Sequence, residues 1–434
     1  MASRIRTRRA VALLLVSCAA SAGVFPAPAT AGAMAPAVVA ASQHTMIVHA
    51  RGSLMPWQAT AIAGAAATAG ASGYRVSSPT LPMTAHRRGG RIVWSAPGRA
   101  RIPMAATVVS RWYIRAVGGQ ALHDALLPGA VAVGVVTASR RGIRVGDWLE
   151  LRDRRNRVRS VRVGAIVDQR LVEGRDLLIP VHVSEPRFGA LSISHVVIAG
   201  IVTPESVEEA LRARGVIIGT EYRLRRSWDP PDPDDVLGAS EVAARFGQLM
   251  YTAPSSTRIS VVPAYMNRLV RVAYTGVALR HHCHTRVVGA IQSALTEIAA
   301  AGLASRIDVV NSNRYGGCFV ARYARFQGAY GTPSRHAWGI AFDVNTVSNA
   351  QGKVPVLDCD VVRIMRRWGF AWGGNFLRPD GMHFEWAGGR RDLMGYPSRY
   401  CPNLVPVPET ERPVFPGDPP PIEEPGDGGN DPSP

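Results

Sequence analysis

The residues between Gly331 and Trp386 hold two histidines and several acids, residue types that could bind a metal ion. His336 and Asp343 are seven positions apart, His383 follows Asp343 by forty, and Asp380 stands three before His383. Two imidazoles and a carboxylate make three protein ligands, which leaves a metal one open position for water, the arrangement of catalytic zinc. One zinc ion is therefore expected on His336, Asp343 and His383. Asp380, close to a ligand but off the metal, is the expected general base that takes the proton of the attacking water. Glu385 competes for that role. Two positions beyond His383 on a strand, however, it would share that ligand's face and could orient its imidazole.

The elements around these residues must bring them together. Ile340 to Val344 reads as a strand with Ala341 and Asp343 on one face and Ile340, Phe342 and Val344 on the other. Gly339, and Gly373-Gly374 ahead of His383, allow sharp turns or close backbone approach. Upstream, helical patterns are expected at 239–250 and at 284–301, where Val287, Val288, Ile291, Leu295 and Ile298 recur at helical spacing. A strand is expected at 307–310, leading into the GGCFVAR segment that ends at Arg322.

The chain of 434 residues has room for two cores. Residues 44–225 read as a β-rich domain. An alternating hairpin spans 146–163, with further short strands at 131–136, 165–167, 177–183 and 194–201, and a helix from Thr203-Pro204 to Arg214. The Pro and Asp cluster within 226–238 propagates neither helix nor strand and is the expected linker. Residues 239–402 would then form the metal-bearing domain, and the Pro- and acid-rich tail 403–434 is expected to be disordered.

Arg4, Arg6, Arg8 and Arg9 precede an apolar run and an Ala29-Thr30-Ala31 site, so 1–31 reads as a signal peptide followed by a flexible leader, 32–43. Arg8-Arg9 leaves twin-arginine export open beside the general route, and Cys18 leaves a lipoprotein anchor open. No later apolar run reaches the length of a membrane span, so a secreted or wall-associated protein is expected. The remaining cysteines, Cys283, Cys318, Cys359 and Cys401, are even in number and are expected to form two disulfides. Three pairings are possible; Cys318 with Cys359 and Cys283 with Cys401 is the one favoured here. The formal charge of +18, with Lys353 the only lysine among fifty basic residues, suits weak attraction to anionic wall polymers better than nucleic-acid recognition. Composition sets no oligomeric state.

Ser334 to Asp343, SRHAWGIAFD, together with Trp372-Gly373-Gly374 and Asp380-Gly381-Met382-His383-Phe384-Glu385, resembles the zinc D-alanyl-D-alanine carboxypeptidases and L-alanyl-D-glutamate endopeptidases of the lysostaphin/D-Ala-D-Ala/hedgehog superfamily. The resemblance spans about 270–400. It implies an α+β fold whose C-terminal hedgehog-like peptidase domain, a small antiparallel sheet with helices, follows a separate β-rich domain. It also implies peptidoglycan stem peptides as substrate, Asp380 as base, Arg322 as a substrate or oxyanion contact and Ser334 as a substrate-side hydroxyl. A non-catalytic, zinc-containing wall-binding or signalling module is the alternative, since relatives of that kind exist. The segment GVVTASRRGIRVGDWLEL resembles the extracytoplasmic domains of macrolide-exporter-type ABC permeases, without their membrane spans.

Overall fold

Alternation of apolar residues shapes the first half of the chain. The computed structural model describes residues 44–219, 221–273, 280–308, 317–324 and 331–405. The expected signal peptide and leader, Cys18 and most of the tail lie outside these residues. In order come β1 (Thr45–Leu54), α1 (Pro56–Thr68), β2 (Ser72–Ser77), β3 (Thr80–Arg88), β4 (Arg91–Ser95), β5 (Ile102–Val109), α2 (Arg111–Leu126), β6 (Ala130–Gly134) and α3 (Val135–Arg141). There follow β7 (Trp148–Arg152), β8 (Val158–Val167), β9 (Leu177–Pro180), α4 (Val181–Phe188), β10 (Ile193–Ala199), α5 (Pro204–Ala213) and β11 (Tyr222–Arg226).

These strands form one sheet in the order β11-β1-β10-β2-β5-β9-β6-β8-β7-β3-β4, and β3 pairs back onto β5. That last pairing closes β5, β9, β6, β8, β7 and β3 into a ring, so no edge is left on those strands. Every second residue points inward: Leu81 and Met83, Ile102 and Met104, Leu149 and Leu151, and Val161 and Val163 are fully buried in a single cluster. Beyond the ring, β4 pairs onto β3, and the four strands β11, β1, β10 and β2 make a wing. Helices α1 and α5 cover one face of it through Ile62, Ala66, Val207 and Leu211, while Tyr113, Ile114 and Val117 of α2 join a cluster with Val76 and Val197.

The first half is thus mixed α and β, which corrects the expectation of a β-rich domain. Two expected strands are cut short. The run at 131–136 leaves the sheet at Gly134 and turns into α3, and the run at 177–183 leaves it at Pro180 and turns into α4. A short apolar run has no period that separates strand from buried helix. Helix α1 gave no signal for the complementary reason: it is alanine-rich on all sides, and it packs so closely that a Cβ on Gly73 would meet the Ala63 backbone at 2.5 Å. Thr203 does cap α5, accepting from the Ser206 N–H at 3.3 Å with Pro204 in the first turn.

The second half contains α6 (Ala239–Phe246), β12 (Tyr251–Thr252), β13 (Ser260–Val261), α7 (Pro263–Met266), β14 (Leu269–Ala273), β15 (Arg280–His284) and α8 (Thr285–Ala300). It ends with β16 (Ala341–Asp343), α9 (Cys359–Arg367), β17 (Phe370–Trp372) and β18 (His383–Trp386). A small antiparallel sheet, β16-β18-β17, packs with α8 and α9 around Phe342, Phe370, Trp372 and Phe384. Ile307 and Asp308 carry no strand, and the rest of that expected element lies outside the described residues.

The halves are not separate: the described residues belong to one unit. Arg101 and Tyr251 exchange backbone hydrogen bonds at 2.9 and 3.0 Å, and Thr80 Oγ1 lies 2.6 Å from Thr332 Oγ1. Residues 227–238 carry neither helix nor strand, yet Asp234 in this stretch is only 4 % exposed. Its carboxylate receives the Arg366 guanidinium of α9 at 2.6 Å, a fully buried ion pair. The disulfides also differ from the favoured pairing. Cys283 joins Cys318 and Cys359 joins Cys401, with Cα separations of 5.0 and 4.9 Å. Only the packing of β15 and α9 against these segments decides between pairings that the sequence leaves equal.

Candidate metal centre

Strand register places the first two donors. In the β16–β18 ladder Asp343 stands opposite His383, Phe342 opposite Phe384 and Ala341 opposite Glu385, so ligands forty positions apart become cross-strand neighbours. His383 Nδ1 lies 3.0 Å from Asp343 Oδ1. The third donor comes from a turn of 3-10 helix, Arg335–Trp338, whose N-cap Ser334 accepts from the His336 N–H. Gly339 closes that turn at φ +69°, and a Cβ there would meet Leu269 at 2.7 Å and the His284 nitrogen at 3.0 Å. His336 Nε2 thereby comes within 3.2 Å of Asp343 Oδ1.

The tautomer of His336 follows from its partners. Its Nδ1 lies 3.1 Å from the Gly317 carbonyl and 3.2 Å from that of Cys318. Carbonyls only accept, so Nδ1 carries a hydrogen, and in the neutral ring Nε2 is the nitrogen left with a lone pair for a metal. The Cys283–Cys318 disulfide ties down the segment supplying those carbonyls. On the other ligand, His383 Nε2 lies 3.7 Å from Glu385 Oε2, and Arg335 Nε lies 2.8 Å from Glu385 Oε1.

The charges around these donors call for a cation. Burial opposes ionisation of Asp343, but the His336 and His383 imidazoles hold it well below the ordinary carboxylate range. Burial likewise opposes a charge on His383, yet hydrogen bonds to Asp343 and Glu385 raise it to about 10. Glu385 is buried, which disfavours its charge, and Arg335 and then His383 bring it down. A proton on His383 thus sits where a divalent ion would supply the positive charge instead. The three donor atoms lie within 4.8 Å of one another, with Asp343 Oδ1 at 3.0 and 3.2 Å from the two imidazole nitrogens; tetrahedral zinc with bonds of about 2.0–2.1 Å sets its donors roughly 3.3 Å apart. His336 Nε2 is buried without a hydrogen-bond partner. The donor set fits zinc.

Asp380 sits beside this centre on a constrained turn. Its backbone N–H donates to Gly373 at 2.8 Å and its carbonyl accepts from His383 at 3.0 Å. A Cβ on Gly373 would lie 2.6 Å from the Asp380 carbonyl, and one on Gly374 would lie 2.3 Å from the Trp372 ring, so both glycines are required by contact. Gln351 Nε2 donates to Asp380 Oδ2 at 3.0 Å, while Oδ1 is buried without a partner. Burial, then the Asp343 charge, raise Asp380 above its ordinary value against the pull of His383, His336 and Arg322.

Of the other expected site residues, Arg322 is held by its backbone next to Ser334, whose N–H donates to the Arg322 carbonyl at 3.0 Å. Its guanidinium is near enough to act on Asp380 electrostatically. Ser334 is buried and its Oγ is engaged in the helix cap. Three supporting residues had no signal in the sequence reading: Gln351, Arg335 and Asp234. Asp234 receives the Trp372 N–H at 2.9 Å and the Asn375 side-chain amide at 2.8 Å, from 138 and 141 positions upstream, and so fixes the turn that leads to Asp380. Arg335, adjacent to His336, is the one that motif inspection could have marked.

Residues 327–386 match the family described as D-alanyl-D-alanine carboxypeptidase, a stretch that includes all three donors and Asp380. No curated protein matches the chain. Among solved structures, the periplasmic region of MacB from Actinobacillus actinomycetemcomitans is similar at 13 % identity, covering 42 % of this chain and 88 % of its own, with a TM-score of 0.27. The extracellular domain of the noncanonic ABC-type transporter YknZ from Gram-positive bacteria is similar at 11 % identity, covering 42 % and 99 %, with a TM-score of 0.28.

Proposed function

We propose that the chain is an exported zinc peptidase that hydrolyses peptide bonds in peptidoglycan stem peptides. The observation carrying this reading is the meeting of His336 Nε2, Asp343 Oδ1 and His383 Nδ1 beside a buried Asp380 oxygen that has no partner. The likeness of residues 327–386 to the D-alanyl-D-alanine carboxypeptidase family supports it. The signal-like N-terminus and the two disulfides support export. Among the described residues no helix is long and apolar enough to cross a membrane.

His336, Asp343 and His383 would hold a zinc ion, which when bound would supply Lewis acidity toward the scissile carbonyl and lower the pKa of water. Asp380 Oδ1 accepts the proton of the attacking water and passes it to the departing amine. Gln351 on Oδ2 leaves Oδ1 free for that task. Glu385, clamped by Arg335, sets its charge 3.7 Å from His383 Nε2 and so favours the ring orientation that keeps Nδ1 facing Asp343. Arg322 offers a rigid fork of donors to a substrate carboxylate. Metal analysis of the purified chain tests the reading. One zinc per chain, lost in His336→Ala, is expected; a wild-type chain that takes up no stoichiometric zinc contradicts it.

A further inference from the structure

Beside the metal centre lies a cavity of about 300 Å³, within the size range of small-ligand sites. The two halves build it jointly. Arg51, Tyr222 and Arg223 come from the sheet half, and Lys353, Phe376 and Tyr400 from the metal-bearing half. The cavity shares parts with the centre. Phe376 lines it, and its ring centroid is 6.2 Å from that of His383. Pro379, also in the lining, directly precedes Asp380. The loop carrying Lys353 begins at Gln351, which holds the Asp380 carboxylate, and its Gly352 N–H donates to the Pro379 carbonyl at 2.6 Å.

The charge of the lining is one-sided. Its single carboxylate among the described residues, Asp232, is already taken by Arg223 at 2.5 Å and Arg225 at 3.3 Å. Arg51 and Lys353 are both exposed, and no carboxylate of the lining is left to neutralise them. A cavity whose lining carries both cations and aromatic rings suits an acidic peptide, whose carboxylates meet the cations while its aliphatic parts cover the rings.

We propose that this cavity is a subsite for the carboxylate-bearing part of the peptide substrate, completed by the sheet half through Arg51 and by Lys353. The substrate identity rests on the peptidase reading; the binding of an acidic peptide in the cavity does not. The sheet half then has a role in selecting substrate, which its own residues, lacking a metal cluster among those described, do not otherwise suggest.

Lys353 is the only lysine of the full sequence, so an amine-acylating reagent followed by peptide mapping reads this cavity without any turnover. The probes are muropeptides with a free D-glutamate carboxyl and the same muropeptides amidated. With the full-length chain, the free acid should protect Lys353 at about tenfold lower concentration than the amide, and Arg51→Glu should remove that preference. In turnover, Arg51→Glu should raise KM for the acid relative to the amide by the same factor. Equal protection by both peptides, no protection by either, or an unaltered preference in Arg51→Glu overturns the subsite. Selective protection in a chain that hydrolyses neither peptide counts against the peptidase reading and leaves the subsite standing.

Discussion

Asp380 combines two properties wanted of a base: a half-buried carboxylate whose proton affinity burial raises, and a buried oxygen, Oδ1, with no hydrogen-bond partner. Asp380→Asn keeps the Gln351 contact and the shape of the turn but removes the proton acceptor. It should lower kcat by about 10²- to 10⁴-fold while zinc content is retained; an unchanged kcat with zinc bound would assign the proton elsewhere. Glu385 works through His383. Glu385→Gln leaves Arg335 without its anion and His383 Nε2 without a charged acceptor, so zinc affinity should fall by about 10- to 100-fold in a chelator competition. Equal affinity would reduce Glu385 to an ion pair with Arg335 alone.

At the level of elements, the wing of the large sheet holds a buried acid–base cluster far from the metal centre in sequence. His195 on β10 lies 3.0 Å from Glu173 Oε1, and its ring is 4.8 Å from that of His49 on β1. Glu173 sits at φ +50°, a backbone conformation that its contacts with His195 and Arg175 hold in place. Burial, and then His195, bring His49 down to about 3. Burial works against the Glu173 charge, but His195 and Arg175 hold the carboxyl well below its ordinary value. Both folded-state values lie below the unfolded ones, so the unfolded chain binds more protons on acidification. The His49 contribution is present above pH 6.5 and is lost as pH falls toward about 3. The Glu173 contribution is present above its unfolded value of 4.5 and is lost below it. Thermal unfolding followed from pH 7 to pH 4 should therefore show a falling midpoint, and His49→Gln should flatten the upper part of that fall. A midpoint independent of pH in both chains would contradict it.

The grouping of His336, Asp343 and His383 beside Asp380 was legible because these residues lie in two short segments whose residue types have few alternative uses. The 146–163 hairpin was legible from strict alternation. Helix α1, alanine on every side, offered no face to detect, and the turns of β6 and β9 into helices left no break in the apolar run. Disulfide pairing depends on which segments β15 and α9 pack against, a long-range fact that spacing alone does not encode.

Across the whole molecule, the proline and acid stretch between the halves does more than connect them. Asp234 binds Arg366 of α9, the Trp372 N–H and the Asn375 amide, and Arg391 reaches the carbonyls of Asp232, Pro233 and Asp235. Asp234→Asn would leave Arg366 buried without its anion. A loss of about 3–5 kcal/mol is expected, with faster hydrogen exchange at the Trp372 amide; wild-type stability would show that the pair is dispensable. This packing also explains how the sheet half can reach the cavity beside the metal centre.

The central claim, hydrolysis of stem peptides at this centre, is tested most directly by mass spectrometry of purified muropeptides incubated with zinc-loaded wild-type chain and with Asp380→Asn. The account predicts a zinc-dependent product from the wild type, either loss of one alanine or release of a stem fragment, and little or none from the variant. Unchanged muropeptides after incubation with a wild-type chain carrying stoichiometric zinc would contradict it.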